Sequence, residues 1–120
     1  MNIEITGIHF TVSDRLKTYV EKKINALDKY VHRAGRDSVV VKVRLIEGKA
    51  TDKKEYTCEV HMVLPQESIE AKDSTLNMFA AVDIVEAKLK TQLKKYKELH
   101  HNPRLHRRII TRLKHNPEAV

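Results

Sequence analysis

Apolar and polar positions in this chain alternate, then recur at helical spacing, then alternate again, and the switches divide it into elements. Residues 2–12 (NIEITGIHFTV) alternate around Gly7, with Ile3, Ile5, Phe10 and Val12 apolar. A period of two predicts a short strand, with a bend or bulge at Gly7 and a lead-in to a helix. Leu16, Val20, Ile24, Leu27 and Val31 then recur at spacings of three and four, the single stripe of an amphipathic helix reaching to about Tyr30. Ser13 is placed to cap it, because its hydroxyl can accept from first-turn amides, and Asp14 suits the positive helix end. Gly35, within the stop signal HRAGRD (32–37), is available for a left-handed cap.

Residues 38–47 (SVVVKVRLIE) are β-branched and begin apolar on both faces, the pattern of a central strand. A polar connection over 48–53 leads to 54–64, where Tyr56, Cys58, Val60, Met62 and Leu64 share one face and Thr57, Glu59 and His61 the other. A turn at Pro65-Gln66-Glu67 and a short strand over 68–72 complete an antiparallel meander. Asn77 is the preferred cap of a long second helix, with Asp73 or Ser74 as earlier starts, and Met78, Val82, Val85, Leu89, Leu93 and Tyr96 form its stripe. The predicted fold is α+β in the order β-α-β-β-β-α, a four-stranded sheet with both helices packed on one face.

Charge changes the picture. The chain of 120 residues has 23 Lys/Arg against 16 Asp/Glu, a net +7, yet residues 88–114 alone carry ten Lys/Arg and one acid, a net +9. The excess is therefore placed rather than spread. On the second helix, at ~100° per residue, Lys88 and Lys95 fall on one flank of the stripe with Gln92 closer to it, and Lys90, Lys94 and Lys97 fall on the other. On the first helix Arg15, Lys22 and Lys29 stand seven apart, nearly in line. Lysines edging a buried stripe lay their methylenes on the protein and project ammonium groups outward. Basic rows on two helices point to a polyanion, nucleic acid first and an anionic membrane surface second.

After Leu99, HNP recurs at 101–103 and 115–117 around RLHRRIITRLK, giving a basic tail over 101–120 distinct from a domain over 1–100. Arg104, Arg107, Arg108 and Arg112 are its candidate contacts. Eleven residues are too few for a stable isolated helix, so the tail is expected to be disordered when free and to order on a partner. No apolar run approaches the ~20 residues of a membrane span, and the N-terminus has no hydrophobic signal core. One cysteine, Cys58, fits a reducing cytoplasm and reads as a small buried hydrophobe rather than a nucleophile. Four of the seven histidines lie in 100–115, but His100, His101 and His106 have only Glu98 nearby in a cationic stretch, which opposes a metal. Asp83 and Glu86 read as a solvated pair. No phosphate loop, catalytic triad or cofactor motif is present, so neither an enzyme nor a small-molecule substrate is expected. A nuclease using the histidines and membrane docking through 104–114 remain rivals from other classes.

The second-helix segment NMFAAVDIVEAKLKTQLKKYK resembles the signature of the ribosome hibernation-promoting factor and ribosome-associated inhibitor (protein Y) family. Met78, Ala80, Ala81, Asp83, Lys88, Leu89, Gln92, Leu93 and Lys95 stand where that pattern expects them, and ITGIHFTVSDRLKTYVEKKINALDKY is similar to its opening. The resemblance covers about 2–100, with Asn77 for the usual Asp, Phe79 for Tyr, and Thr91 where a basic residue is frequent. It implies a fold akin to double-stranded-RNA-binding domains. It also implies binding in the decoding region of the small ribosomal subunit, where ribosomal RNA would be held and tRNA and messenger excluded. The RNA-binding set expected is Arg15, Lys22, Lys29, Lys88, Lys90, Gln92, Lys94, Lys95 and Lys97. A short form lacking the second domain of long members, monomeric off the ribosome, is the expectation. The alternative is a general RNA- or DNA-binding module without ribosome specificity.

Overall fold

The computed structural model describes residues 1–101, ordered as strand β1 (Asn2–Ile8), helix α1 (Asp14–Asn25), strands β2 (Val40–Ala50), β3 (Lys53–Val63) and β4 (Ser68–Thr75), and helix α2 (Met78–His101). The sheet order is β1-β2-β3-β4. β1 runs parallel to β2, pairing Ile3 with Val41 and Ile5 with Val43, while β2, β3 and β4 form the expected antiparallel meander. A parallel pair needs a crossover, and α1 supplies it, lying across one sheet face beside α2. Val41, Val43 and Leu45 of β2, Cys58, Val60 and Met62 of β3, and Ile69 and Ala71 of β4 are buried under that layer. Leu16, Val20 and Ile24 of α1 and the α2 stripe from Met78 to Tyr96 join them in one core. The expected β-α-β-β-β-α architecture is the observed one.

Both caps form as local chemistry dictates. Ser13 Oγ accepts from the Leu16 amide at 3.2 Å, and Asn77 Oδ1 accepts from the Phe79 amide at 2.8 Å. Asp73 and Ser74, the other possible starts, belong instead to β4, which runs three residues beyond the expected strand. α2 is longer than its apolar stripe and continues through His101. The first helix is shorter than expected: its α-helical part stops at Asn25 and the stripe continues through a 3-10 segment, Ala26–Tyr30, that still buries Leu27. Tighter winding keeps Leu27 directed into the core while the chain turns away.

Three local expectations are corrected. β1 passes straight through Gly7, and the left-handed residue is His9, at φ 52°. Gly7 is needed for close approach, because a Cβ there would stand 2.1 Å from the Phe10 carbonyl oxygen. Gly35 has no left-handed φ; it sits in a second 3-10 segment, Arg33–Ser38, against Pro65. The polar connection over 48–53 is mostly strand, since Ala50 pairs with Lys53 and only Thr51 and Asp52 turn the chain. Thr51 takes the left-handed φ of 62° that a two-residue hairpin demands.

The glycines provide a paired test. Gly7→Ala must push backbone against backbone and is expected to lower Tm by roughly 5–20 °C, the equivalent of ~1–3 kcal/mol in a small domain. At Gly48 a Cβ would meet nothing within 4 Å, so Gly48→Ala should hold or raise Tm. Equal losses in the two variants, measured by thermal unfolding, would contradict the close approach at Gly7.

Candidate nucleic-acid interface

The two helices lie side by side and run the same way, because their cross-contacts advance together. Near the start of both, the Tyr19 ring meets Phe79 edge-on at 5.1 Å between centroids, and the Arg15 guanidinium lies 5.8 Å from the Phe79 centroid. One turn on, the Tyr19 hydroxyl donates to Asp83 Oδ1, and Lys23 Nζ stands 3.4 Å from the same oxygen. The carboxylate acceptor, with desolvation second, pushes the Tyr19 hydroxyl above its ordinary value and keeps it a donor. Asp83 is thus a joint between helices rather than the solvated acid its sequence position suggested. Only the packing of α1 against this flank reveals that, because Tyr19 and Asp83 are 64 residues apart.

The expected site residues divide between the two flanks of α2. Lys90, Lys94 and Lys97 project on the flank nearer α1, whose own Arg15 and Lys22 are exposed; Lys29 follows in the 3-10 segment, its ammonium 5.4 Å from the Tyr30 ring centroid. The other flank lies along the free edge of β4. There Lys88 Nζ donates to the Lys72 carbonyl at 3.1 Å and stands 3.0 Å from Asp73 Oδ2. Gln92 Nε2 donates to the Glu70 carbonyl at 2.8 Å. Residues four apart on a helix meet carbonyls two apart on a strand, since ~6 Å of rise matches ~6.6 Å of strand. An open β edge is thereby satisfied by side chains. Lys95, on this side but a turn further on, is exposed. Among the described residues, Lys22, Lys90, Lys94, Lys95 and Lys97 make no ion pair or side-chain hydrogen bond. Arg104, Arg107, Arg108 and Arg112 lie outside the described residues.

The opposite face of the sheet is charged but balanced. The register lines up Glu4, Lys42, His61 and Glu70 in one row, and Thr6, Arg44, Glu59 and Lys72 in the next. Arg44 pairs with Glu59 at 3.5 Å, and His61 Nδ1 stands 3.1 Å from Glu70 Oε1. On this face Lys42 and Lys72, in no ion pair themselves, are offset by Glu4 and Glu70 in the same two rows, whereas the lysine rows of the helical layer carry a cationic excess. Burial pushes the Cys58 thiol up to about 12, with Glu59 a smaller cause, so it is no nucleophile at neutral pH. Among the described residues no three His, Cys, Asp or Glu side chains group as metal ligands would, and no helix is long and apolar enough to cross a membrane.

The Lys88–Asp73 contact has a titration signature. The hydrogen bond from Lys88, then that from the Ser74 amide, hold the Asp73 carboxyl below the ordinary aspartate value. A depressed folded pKa gives stability that is present above the unfolded value and lost as pH falls through the folded one. Carbonyl-detected NMR titration should find Asp73 protonating below the ordinary aspartate range, and Lys88→Ala should move it back up. An Asp73 titration unaffected by Lys88→Ala would show that the pair does not form in solution.

Comparison with known proteins follows the same outline. The chain is 31% identical over 99 residues to a ribosome hibernation promotion factor of Lactococcus lactis, covering 81% of this chain and 50% of that protein. It is 29% identical over 97 residues to one of Staphylococcus aureus, covering 81% and 48%. The chain thus spans about half the length of the curated relatives it matches. Its fold is similar to the crystal structure of the Thermus thermophilus Protein Y N-terminal domain, with TM-score 0.67 and 29% identity over 80% of this chain and 99% of that one. A ribosomal subunit interface protein from Coxiella burnetii gives 0.66 and 28%, covering 81% and 98%. Residues 3–100, which take in both helices and all four strands except the end residues Asn2 and His101, match the model described as Sigma 54 modulation protein / S30EA ribosomal protein, and the chain belongs to that family.

Proposed function

We propose that this protein is a ribosome-associated stasis factor. It binds ribosomal RNA in the decoding region of the small subunit through its helical layer and excludes tRNA and messenger by occupying their space. The observation that carries this reading is the set of unpaired lysines, Lys22, Lys90, Lys94, Lys95 and Lys97, on one layer of a molecule whose opposite face neutralises itself. An ammonium with no protein partner gives up only water and counterions when it meets a phosphate, so these positions contribute most to salt-dependent binding. Arg15 and Lys29 add charge from the first-helix row. Lys88 and Gln92 reach RNA only by exchanging Asp73, Lys72 and Glu70 for it, and they hold α2 in place meanwhile. The tail arginines, Arg104, Arg107, Arg108 and Arg112, are further candidate contacts to RNA by their charge. The names of the relatives supply the ribosome as partner, and inhibition by occupancy requires no chemistry, cofactor or small-molecule substrate. The site of action is then the cytoplasm.

A salt series tests the assignment. Affinity for purified small subunits should fall steeply with salt, and the double variant Lys94→Ala/Lys95→Ala should flatten the log–log slope by ~0.7–0.9 per lost phosphate contact. Lys88→Ala, which removes an already paired charge, should flatten it less. An unchanged slope in the double variant would contradict the assignment. Competition separates the general nucleic-acid-binding alternative: bulk duplex RNA should displace the protein from subunits only at large excess, and equal competition would favour that alternative.

A further inference from the structure

At the end of the helical layer where α1 and α2 begin, the surface turns from charged to apolar. Leu76, in the short link between β4 and α2, is 70% exposed, more than any other large hydrophobic side chain among the described residues. It is held there rather than left loose. The Asn77 amide donates to Thr75 Oγ1 at 3.0 Å, and Asn77 Oδ1 caps α2, so both sides of Leu76 are fixed. Beside it lies a cleft of about 300 Å³ whose aromatic walls are Phe10, Tyr56 and Phe79. Its polar members, Ser13 and Asn77, already spend their side-chain oxygens as helix caps. Apart from the Tyr56 hydroxyl and the Asn77 carboxamide N–H group, what the cleft offers a ligand is ring faces and methyl groups.

We infer that this cleft, between Phe10, Tyr56, Leu76 and Phe79, is a pocket for one unstacked nucleobase of the bound RNA. The inference rests on the RNA-binding reading above and gives it a local contact beyond charge. Phe10 and Tyr56 meet edge-to-face at 6.1 Å and 75°, an arrangement that leaves ring surface uncovered. Phe79 is steadied by Tyr19 edge-on and by the Arg15 guanidinium 5.8 Å from its centroid, and it still lines the cleft, where an aromatic ring beside a guanidinium suits a base. Charge favours a nucleotide over an apolar protein side chain as occupant. Arg15 flanks the cleft on one side, and on the other Leu76 shares an adjoining depression of about 320 Å³ with Lys53 and Lys54. Three acids, Asp14, Glu55 and Glu47 opposite Tyr56, lie at these rims; with Lys49 opposite Lys54 the balance stays cationic, four charges against three. A base seated against Leu76 would have cations on both sides for its neighbouring phosphates; a leucine or phenylalanine of a protein partner would use neither.

Photocrosslinking tests the pocket on the full chain. With p-benzoyl-phenylalanine in place of Leu76, irradiation of the protein bound to small ribosomal subunits should join position 76 to a ribosomal RNA nucleotide. A crosslink to a ribosomal protein, or none while the protein cosediments, overturns the pocket and leaves the proposed function standing. Failure of the unsubstituted chain to cosediment would instead overturn the function. Should the bulky group itself prevent cosedimentation, a second arm decides. The unsubstituted protein should bind an adenosine tetranucleotide about ten-fold tighter than an abasic tetranucleotide of equal charge, with upfield shifts of the Leu76 methyl resonances. In Phe79→Leu, with folding checked by Tm, that preference should fall toward one. Equal affinity for the two oligonucleotides in the unsubstituted protein overturns the pocket.

Discussion

The seating of α2 on the sheet is the contact on which the rest depends. Met78, Val82, Val85, Leu89, Leu93 and Tyr96 enter the core along one stripe, each 5% exposed or less. Burying side chains of this size stabilises by ~1.5–3 kcal/mol apiece, so rotating the helix would forfeit far more than any surface contact returns. Rotation being fixed, the flanks have no choice of direction. One flank must lie along β4 and the other must face α1. Each is then fastened by polar chemistry suited to its neighbour: Lys88 and Gln92 donate to strand carbonyls, and Asp83 accepts from Tyr19 while meeting Lys23. Hydrophobic burial sets the geometry, and these polar contacts select the register and the partner.

The division of charge follows from that geometry. A sheet covered on one side by helices leaves its other side in water, where cross-strand register puts Arg44 beside Glu59 and His61 beside Glu70. Charges two strands wide thus find partners at no cost in reach. Helical lysines on an outer surface have no such ladder. Lys23 and Lys88 meet acids held in place by the helix–helix and helix–strand contacts, whereas Lys90 and Lys94, each four residues from a glutamate of their own helix, form no ion pair. The result is a molecule with a self-neutralised back and a cationic front, which suits insertion into a phosphate-lined cleft on one side only.

Much of this was legible in the sequence because it is local. The 3.6-residue and two-residue periods give the element order, and Ser13 and Asn77 mark the helix starts through bonds made within three residues. Even the two-flank division of the lysines follows from counting along α2. What the sequence hid is set by residues far apart. That β1 is parallel to β2, that Gly7 is pressed by the Phe10 carbonyl, and that Gly35 is packed on Pro65 all depend on tertiary approach. The same holds for the site. Lys88 and Lys95 look alike on a helical wheel, but one is spent on Asp73 and the other is exposed, and only the position of the β4 edge separates them.

Binding of RNA by the helical layer, and not by the open sheet face, would shield the lysines of that layer. Lysine acetylation footprinting, read by mass spectrometry on the protein free and bound to small ribosomal subunits, measures it most directly. Protection of Lys22, Lys90, Lys94, Lys95 and Lys97 on binding is expected, with Lys42 and Lys72 as reactive as in the free protein. Protection of Lys42 and Lys72 while the helical lysines stay reactive would contradict it.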